Sequence, residues 1–268
     1  MNNNQKFYLN IKNEVLKITE EAVKLVRYSD FDVERKADDA SNIVTTNDLK
    51  SQRFLCERLS ALIPGSRFYC EEEDMKETEG EFIWVIDPID GTMNYSRGIA
   101  ECAISVALLH NKRAVVGVVR SIFADEVFSA AEGLGAELNG KAISVSDWNY
   151  KNALFCTAMS VYKKELAKVC SDIIYETHMQ CNDIRRFGSC AIELCYLAAG
   201  KCDLYFEIHV APWDYAAASV ILSEAGGILT GYNGEPLTFD KHTPLIGANN
   251  KENHTRLNAT VVKHMETL

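Results

Sequence analysis

The chain has 268 residues, 47% hydrophobic and 25% charged, enough for one large domain or two closely packed halves around an ordinary core. Its formal net charge of −10 argues against nucleic acid or an anionic membrane as the main partner, so no nucleic-acid partner is expected. No apolar run approaches the ~18–20 residues of a membrane span, and no membrane association is expected.

Phe7, Ile11, Val15, Ile18, Ala22 and Leu25 recur at steps of three and four and predict a long amphipathic helix, with Lys12, Glu14, Lys17, Glu20 and Lys24 on its solvent side. Residues 31–41 lose that periodicity and read as a surface loop. A second helix begins near Asp48, turns Leu55, Leu59 and Leu62 inward and stops at Pro64-Gly65. Strands are predicted at 66–71, 82–87, 102–110, 114–121, 125–130 and 143–145, with hairpin signals at His110-Asn111-Lys112-Arg113 and Asn139-Gly140. Strands at 153–157, 183–187, 203–207, 228–230 and 245–248 then alternate with helices at 163–178, 188–199, 213–225 and from about 250. The pattern predicts a layered αβαβα fold of α+β class: a mixed, largely antiparallel N-terminal sheet with helices, followed by an α/β/α sandwich. A soft boundary falls near Ser146, dividing one unit, residues 1–268, into halves of about 1–146 and 147–268. Nine cysteines, an odd number with no CxxC pair, give little support to zinc ligation and read as small core side chains. With the polar Met1-Asn2-Asn3-Asn4 start they point to a reducing cytoplasm.

The run Trp84-Val85-Ile86-Asp87-Pro88-Ile89-Asp90-Gly91-Thr92-Met93-Asn94-Tyr95 is the most informative segment. An apolar strand ends in two carboxylates and a Gly-Thr pair, an order suited to holding divalent cations beside a phosphate. A strand running into an Asp-Gly turn is the plainer alternative, and on this run alone the two stand level. Elsewhere, Arg67-Phe68-Tyr69-Cys70 runs into Glu71-Glu72-Glu73, Ile43-Val44-Thr45-Thr46-Asn47 leads to Asp48, and Ala211-Pro212-Trp213-Asp214 opens a small-residue helix.

These motifs, E-E, W-V-I-D-P-I-D-G-T-M-N-Y, W-D-x-A and E-A-G-G, lie in order between about Lys36 and Asn250, and through them the chain resembles the inositol monophosphatase family. The resemblance implies Mg²⁺-dependent, lithium-sensitive hydrolysis of a small phosphate monoester by direct attack of activated water, with two to three ions and Mn²⁺ as a substitute. It implies that Glu71, Asp87 and the carbonyl of Ile89 hold one ion, that Asp87, Asp90 and Asp214 hold a second, and that Glu71 and waters hold a third. Asp48 and Thr92 map onto the family's water-orienting pair, with Glu71 beside them, and the amides of Gly91 and Thr92 onto its phosphate contacts. Ser189 and Cys190 in Gly188-Ser189-Cys190, together with Glu207, Asp90 and Asp214, map onto the polyol contacts. Family members form homodimers, and a homodimer is the expectation here.

Duller roles stand beside these. Asp48 is equally a helix cap, Thr92 an N-cap, Asp214 a charge at a helix start, Trp213 a packing residue and Glu207 a solvated strand end; Glu72 and Glu73 read as exposed or behind the ligands, and His209 as a wall residue. Cys70 stands where the family often has Gly, which predicts crowding at the third ion, and the Lys36 loop carries one extra residue. Met93-Asn94-Tyr95 replaces the K-E-F of nucleotide-type members and favours a polyol or sugar monophosphate, most simply myo-inositol 1-phosphate. The alternatives are a fructose-1,6-bisphosphatase, a 3′-phosphoadenosine 5′-phosphate or NADP phosphatase, and a catalytically silent metal-binding protein. Four carboxylates brought together repel: at ~4 Å and an effective dielectric near ~20, each pair costs about 4 kcal/mol.

Overall fold

An amphipathic helix supplies the outer wall of the molecule. The computed structural model describes residues 1–36, 43–72, 75–159 and 163–266. Helix α1 (Asn3–Val26) is closed at its start by reciprocal Asn2–Gln5 hydrogen bonds. Ile11, Val15, Ile18, Ala22 and Val26 are buried along it. Phe7 is exposed, contrary to the reading of the sequence, because Tyr8 takes the inward place and bonds His110 Nδ1 at 2.7 Å. Lys12, assigned to the solvent side, is buried: its stem covers apolar surface and its ammonium meets Glu137 at 2.9 Å. Strands β1 (Val33–Arg35) and β2 (Ile43–Thr45) pair antiparallel, so part of the predicted loop is a ribbon; residues 37–42 lie outside the described residues. Helix α2 (Thr46–Leu62) packs beside α1.

The first sheet follows in chain order: β3 (Arg67–Cys70), β4 (Phe82–Asp90), β5 (Ala103–His110), β6 (Arg113–Ser121), β7 (Val127–Ala131), β8 (Ala136–Leu138) and β9 (Lys141–Ile143), with the single turn α3 (Thr92–Ser96) between β4 and β5. Only β3–β4 is parallel. Asn111 and Lys112 adopt φ of 51° and 64°, as a two-residue hairpin turn requires. Side chains alternate across β5: Ile104, Val106 and Leu108 face the α1–α2 layer, while Ala103, Ala107 and Leu109 face inward.

The second sheet comprises β10 (Leu154–Thr157), β11 (Asp183–Arg185), β12 (Leu204–Val210), β13 (Ile228–Thr230) and β14 (Thr243–Ala248), in the order β11-β10-β12-β14-β13. Its first three strands are parallel, β14 runs antiparallel to β12, and β13, antiparallel to β14, runs the same way as the first three. Between them in the chain run α4 (Ala167–His178), α5 (Cys190–Ala198), α6 (Pro212–Glu224) and, last, α7 (Lys251–Met265). α5 and α6 fill the space between the sheets, and α4 and α7 cover the outer face of the second. The layering is αβαβα, as the pattern of elements predicts. All cysteines but Cys181 are buried, and among the described residues no helix is long and apolar enough to cross a membrane.

A helix sandwiched between two sheets is apolar all round, and α6 buries Ala216, Ala217, Ala218, Val220, Ile221 and Leu222. It lies so close to β6 that a Cβ on Gly117 would stand 2.1 Å from the carbonyl oxygen of Ala217. This contact fixes where the start of α6 sits. Gly117→Ala is expected to cost at least about 1–3 kcal/mol, read as a lower urea midpoint at unchanged m-value; a midpoint equal to the parent's contradicts the close approach.

Candidate active site

Asp87 and Asp90 share a side of β4 because the strand is irregular between them. Asp87 pairs with Ser105 and Asp90 with Ala103, three steps on β4 against two on β5. Residues three apart in a regular strand face opposite ways, and one extra residue restores a common side. Pro88, which has no N–H to lose, occupies the bulge. Its carbonyl accepts from the Ser51 hydroxyl of α2 at 3.1 Å, and Asp87 Oδ1 accepts from Ile89 N–H at 3.0 Å. Asp214 arrives from the first turn of α6, its Oδ2 accepting from Ala211 N–H at 3.0 Å. One oxygen from each of Asp87, Asp90 and Asp214 lies within 4.8 Å of the others.

Burial, with neighbouring negative charge, raises all three acids. Burial, then the charges of Glu71, Asp90 and Asp214, lifts Asp87 well above the usual carboxylate range. Burial and the charges of Asp90 and Glu71 do the same to Asp214. Asp90 reaches only about 6, because burial is opposed by hydrogen bonds from the Ser189 hydroxyl (2.5 Å) and Ala191 N–H (2.8 Å), with the Cys190 amide. Among the described residues no lysine or arginine hydrogen bond reaches these three side chains. A buried set of oxygen donors, without His or Cys and without a cationic side chain bonded to it, fits a hard cation such as Mg²⁺.

Asp48 and Thr92 meet at this end of the site. Asp48 Oδ2 accepts from the N–H and hydroxyl of Thr45, closing a capping box on α2. Its Oδ1 accepts from the Thr92 hydroxyl at 3.1 Å, which also lies 3.0 Å from the Ile89 carbonyl. Burial pushes Asp48 up to about 6. Gly91, not Thr92, is the N-cap of α3, in the left-handed region at φ 83°, and a Cβ there would meet the Glu101 carbonyl at 3.0 Å.

Glu71, Asp87, Ile89, Asp90, Gly91, Thr92, Ser189, Cys190, Glu207 and Asp214 all border one cavity of about 210 Å³; Asp48 stands behind Thr92. Glu207 Oε2 accepts from Tyr205 OH at 2.7 Å, and burial pushes its carboxyl up to about 7. The Ser189 hydroxyl and the amides of Cys190 and Ala191 converge on Asp90.

The whole chain bears comparison with known proteins. The inositol monophosphatase family model matches residues 4–266. An inositol-1-monophosphatase of Bacillus subtilis is 32% identical over 211 residues, 77% of this chain and 79% of that protein. Nus factor SuhB of Vibrio cholerae is 34% identical over 197 residues, 73% of this chain and 74% of that one. The inositol monophosphatase structure from Anabaena superposes with a TM-score of 0.82 at 26% identity, covering 95% of this chain and 96% of that one.

The chain belongs to the inositol monophosphatase family. It is thereby an enzyme of the Mg²⁺-dependent phosphomonoesterase class. Within this inositol monophosphatase fold several flanking residues differ from, or decide between, their readings in the sequence. Of its two readings Glu72 takes the buried one, behind Glu71: its Oε1 takes the Lys36 ammonium at 2.5 Å and its amide bonds Gln52 at 2.9 Å; Glu73 lies outside the described residues. Lys36 also meets Glu71 Oε1 at 3.0 Å, a contact that loop length in the sequence left undetermined. Cys70 turns its sulfur into the core, 3.8 Å from that of Cys56 on α2. Trp213, by contrast, is the packing residue that the sequence suggests, edge-on to Tyr69 and under the Lys76 ammonium. His209 does not border the cavity; it stacks on His242 at 4.4 Å, where burial lowers it to about 4.

Raised acids make the metal-free protein lose stability with rising pH. Asp48, Asp90 and Glu207 bind more protons folded than unfolded between their ordinary values near 4 and their folded values of about 6, 6 and 7. Their penalty is absent at the low end of that window and complete above it. Urea unfolding in EDTA is expected to give lower stability at pH 7.5 than at pH 5, and Mg²⁺ to restore it at pH 7.5. Higher stability at pH 7.5 in EDTA contradicts this assignment.

Proposed function

We propose that the protein hydrolyses myo-inositol 1-phosphate, or a closely related polyol monophosphate, to the free polyol and phosphate. The observation that carries this reading is the convergence of Asp87, Asp90 and Asp214 at one end of a cavity bordered also by Glu207 and Ser189. Residues 1–268 would act as one catalytic unit, the half 1–146 bringing Asp87 and Asp90 and the half 147–268 bringing Asp214 and Glu207.

Glu71, Asp87, the Ile89 carbonyl, Asp90 and Asp214 would hold two to three Mg²⁺ or Mn²⁺ ions. When bound, the ions neutralise phosphate charge and lower the pKa of water. The chain's own groups do the rest. Thr92 donates its hydroxyl hydrogen to Asp48 and so turns its oxygen lone pairs toward the attacking water. Gly91 and Thr92 amides hold the phosphate oxygens. Glu207, fixed by Tyr205, accepts from a ring hydroxyl and turns the ester toward the water. As the water oxygen bonds phosphorus the bond from phosphorus to the polyol oxygen breaks, one water proton passes to the departing polyol oxygen and the other stays on the phosphate, and no bond between phosphorus and a side chain forms.

The Met93-Asn94-Tyr95 sequence after Thr92 supports a single-ring polyol over a nucleotide. Relatives named Nus factor SuhB raise a role without catalysis; the complete acid set and the Asp48–Thr92 hydrogen bond in this chain support catalysis. A homodimer, inhibition by lithium and a cytoplasmic setting belong to the same reading.

A substrate panel with phosphate release as readout, run with Mg²⁺ and with EDTA, tests the proposal. Inositol 1-phosphate is expected to give the highest kcat/KM, with none in EDTA, and preference for fructose 1,6-bisphosphate or a nucleotide overturns the substrate. Asp90→Asn should lower kcat by on the order of 10³ with an unchanged circular dichroism spectrum. Normal turnover in that variant removes Asp90 from the mechanism. Inhibition by tens of millimolar LiCl is expected in the same assay.

A further inference from the structure

One acid bordering the cavity has no part in the scheme above. Glu193 stands in the first turn of α5 and is 1% exposed. A glutamate at that position ordinarily points to water and complements the helix dipole. Here it folds back beneath the preceding turn. Its Oε1 accepts from the N–H groups of Phe187 at 2.6 Å and Gly188 at 2.9 Å. Its Oε2 is buried with no hydrogen-bond partner among the described residues. Burial, opposed by those two bonds and reinforced by the charges of Glu207 and Asp90, pushes the carboxyl up to about 8, so it is mainly neutral at pH 7. An orphaned buried oxygen is costly, and an apolar side chain would avoid that cost. What the carboxyl does in return is fix the backbone of residues 187 and 188.

That short turn is held from three sides. The Asn94 amide of α3 bridges the carbonyls of Phe187 and Glu101, each at 2.7 Å. The Ser189 hydroxyl is tied to Asp90. Glu193 takes the two N–H groups from below. The Gly188 carbonyl is thereby pressed against the Asp90–Gly91 turn: a Cβ on Gly91 would lie 3.2 Å from it.

We infer that Glu193 is a positioning residue that, by holding the Phe187 and Gly188 N–H groups, sets the spacing between the 187–190 turn and the Asp90–Gly91 turn and so shapes the polyol end of the cavity. This rests on the reading of the cavity as a polyol-phosphate site. Removing the acceptor loosens the polyol end and leaves Asp87, Asp90 and Asp214 in place. Glutamine retains an acceptor oxygen for both N–H groups, and its amide N–H₂ replaces the acid O–H.

The test compares Glu193→Leu and Glu193→Gln in the full chain with two readouts. The first is amide hydrogen exchange of residues 187–188 in the metal-free protein, which requires no activity. Leucine is expected to speed exchange there by on the order of 10–100-fold, and glutamine by less than about 3-fold. The second is steady-state hydrolysis: leucine should raise KM roughly 10-fold with kcat within about 3-fold, and glutamine should restore KM. Unchanged exchange in the leucine variant, or equal exchange in both variants, overturns the inference. So does a loss confined to kcat. If the parent hydrolyses no polyol phosphate, the functional reading fails while exchange still decides the clamp. Glu193→Ser serves for leucine should that variant not fold.

Discussion

Three carboxylates that repel one another must be kept together out of water, and much of the surrounding structure serves that end. In water the acids would separate or take up protons. Here the β4 bulge aims Asp87 and Asp90 to one side, and the near-contact of α6 with Gly117 of β6 fixes the height of Asp214. The restraints on the three differ. Asp90 receives the Ser189 hydroxyl and backbone amides; Asp87 and Asp214 each receive a single amide, from Ile89 and Ala211, and both rise further than Asp90. An arrangement that is costly without a cation becomes favourable with one, so folding stability and metal affinity draw on the same interaction.

The layer order explains how residues so far apart in sequence converge. α5 and α6 pack against both sheets, and their starts open at the same end of the molecule as the end of β4. The first sheet supplies Glu71, Asp87 and Asp90 from strand ends; the second reaches the cavity through Glu207 of β12. β12 is itself irregular just past that residue, since Glu207 pairs with Leu245 and Val210 with Thr243, again three steps against two. In both sheets regular pairing stops where polar side chains must be turned toward the cavity.

Much of this was legible in the chain. Period-two and period-3.6 patterns gave the long helices and most strands, though not the short β1, β8 and α3, and the acids stood out because each closed an apolar run. What was not legible depended on partners distant in sequence. Nothing local distinguishes Tyr8 from Phe7 as the inward aromatic until His110 is in place to receive the hydroxyl. Glu72 reads as a solvated neighbour of Glu71 or as a group behind it until Lys36 and Gln52 close over it. Glu193 has the same appearance as any first-turn glutamate, and only the fold brings Phe187 and Gly188 onto its oxygen. The bulge parity that unites Asp87 with Asp90 is invisible to a pattern that counts residues on one strand, because it depends on how many stand opposite.

The plain and the catalytic readings of the key acids are not rivals. Asp48 is the third helical residue of α2 and closes its capping box with Oδ2, while Oδ1 is left to receive Thr92. Asp214 occupies the same position in α6, spending Oδ2 on the Ala211 amide. Ser189 caps α5 with its oxygen lone pairs and donates its hydrogen to Asp90. Capping fixes a side-chain rotamer with one atom and leaves the other free, so a helix start is an economical means of aiming a polar group. It also sets the positive ends of α2, α5 and α6 around a negative cluster, which offsets part of the repulsion before any cation binds. An acid at a helix start is therefore weak evidence for a site by itself. Several such starts converging on one cavity, each with an oxygen left over, are much stronger evidence, because helix stability alone gives no reason for their free atoms to meet.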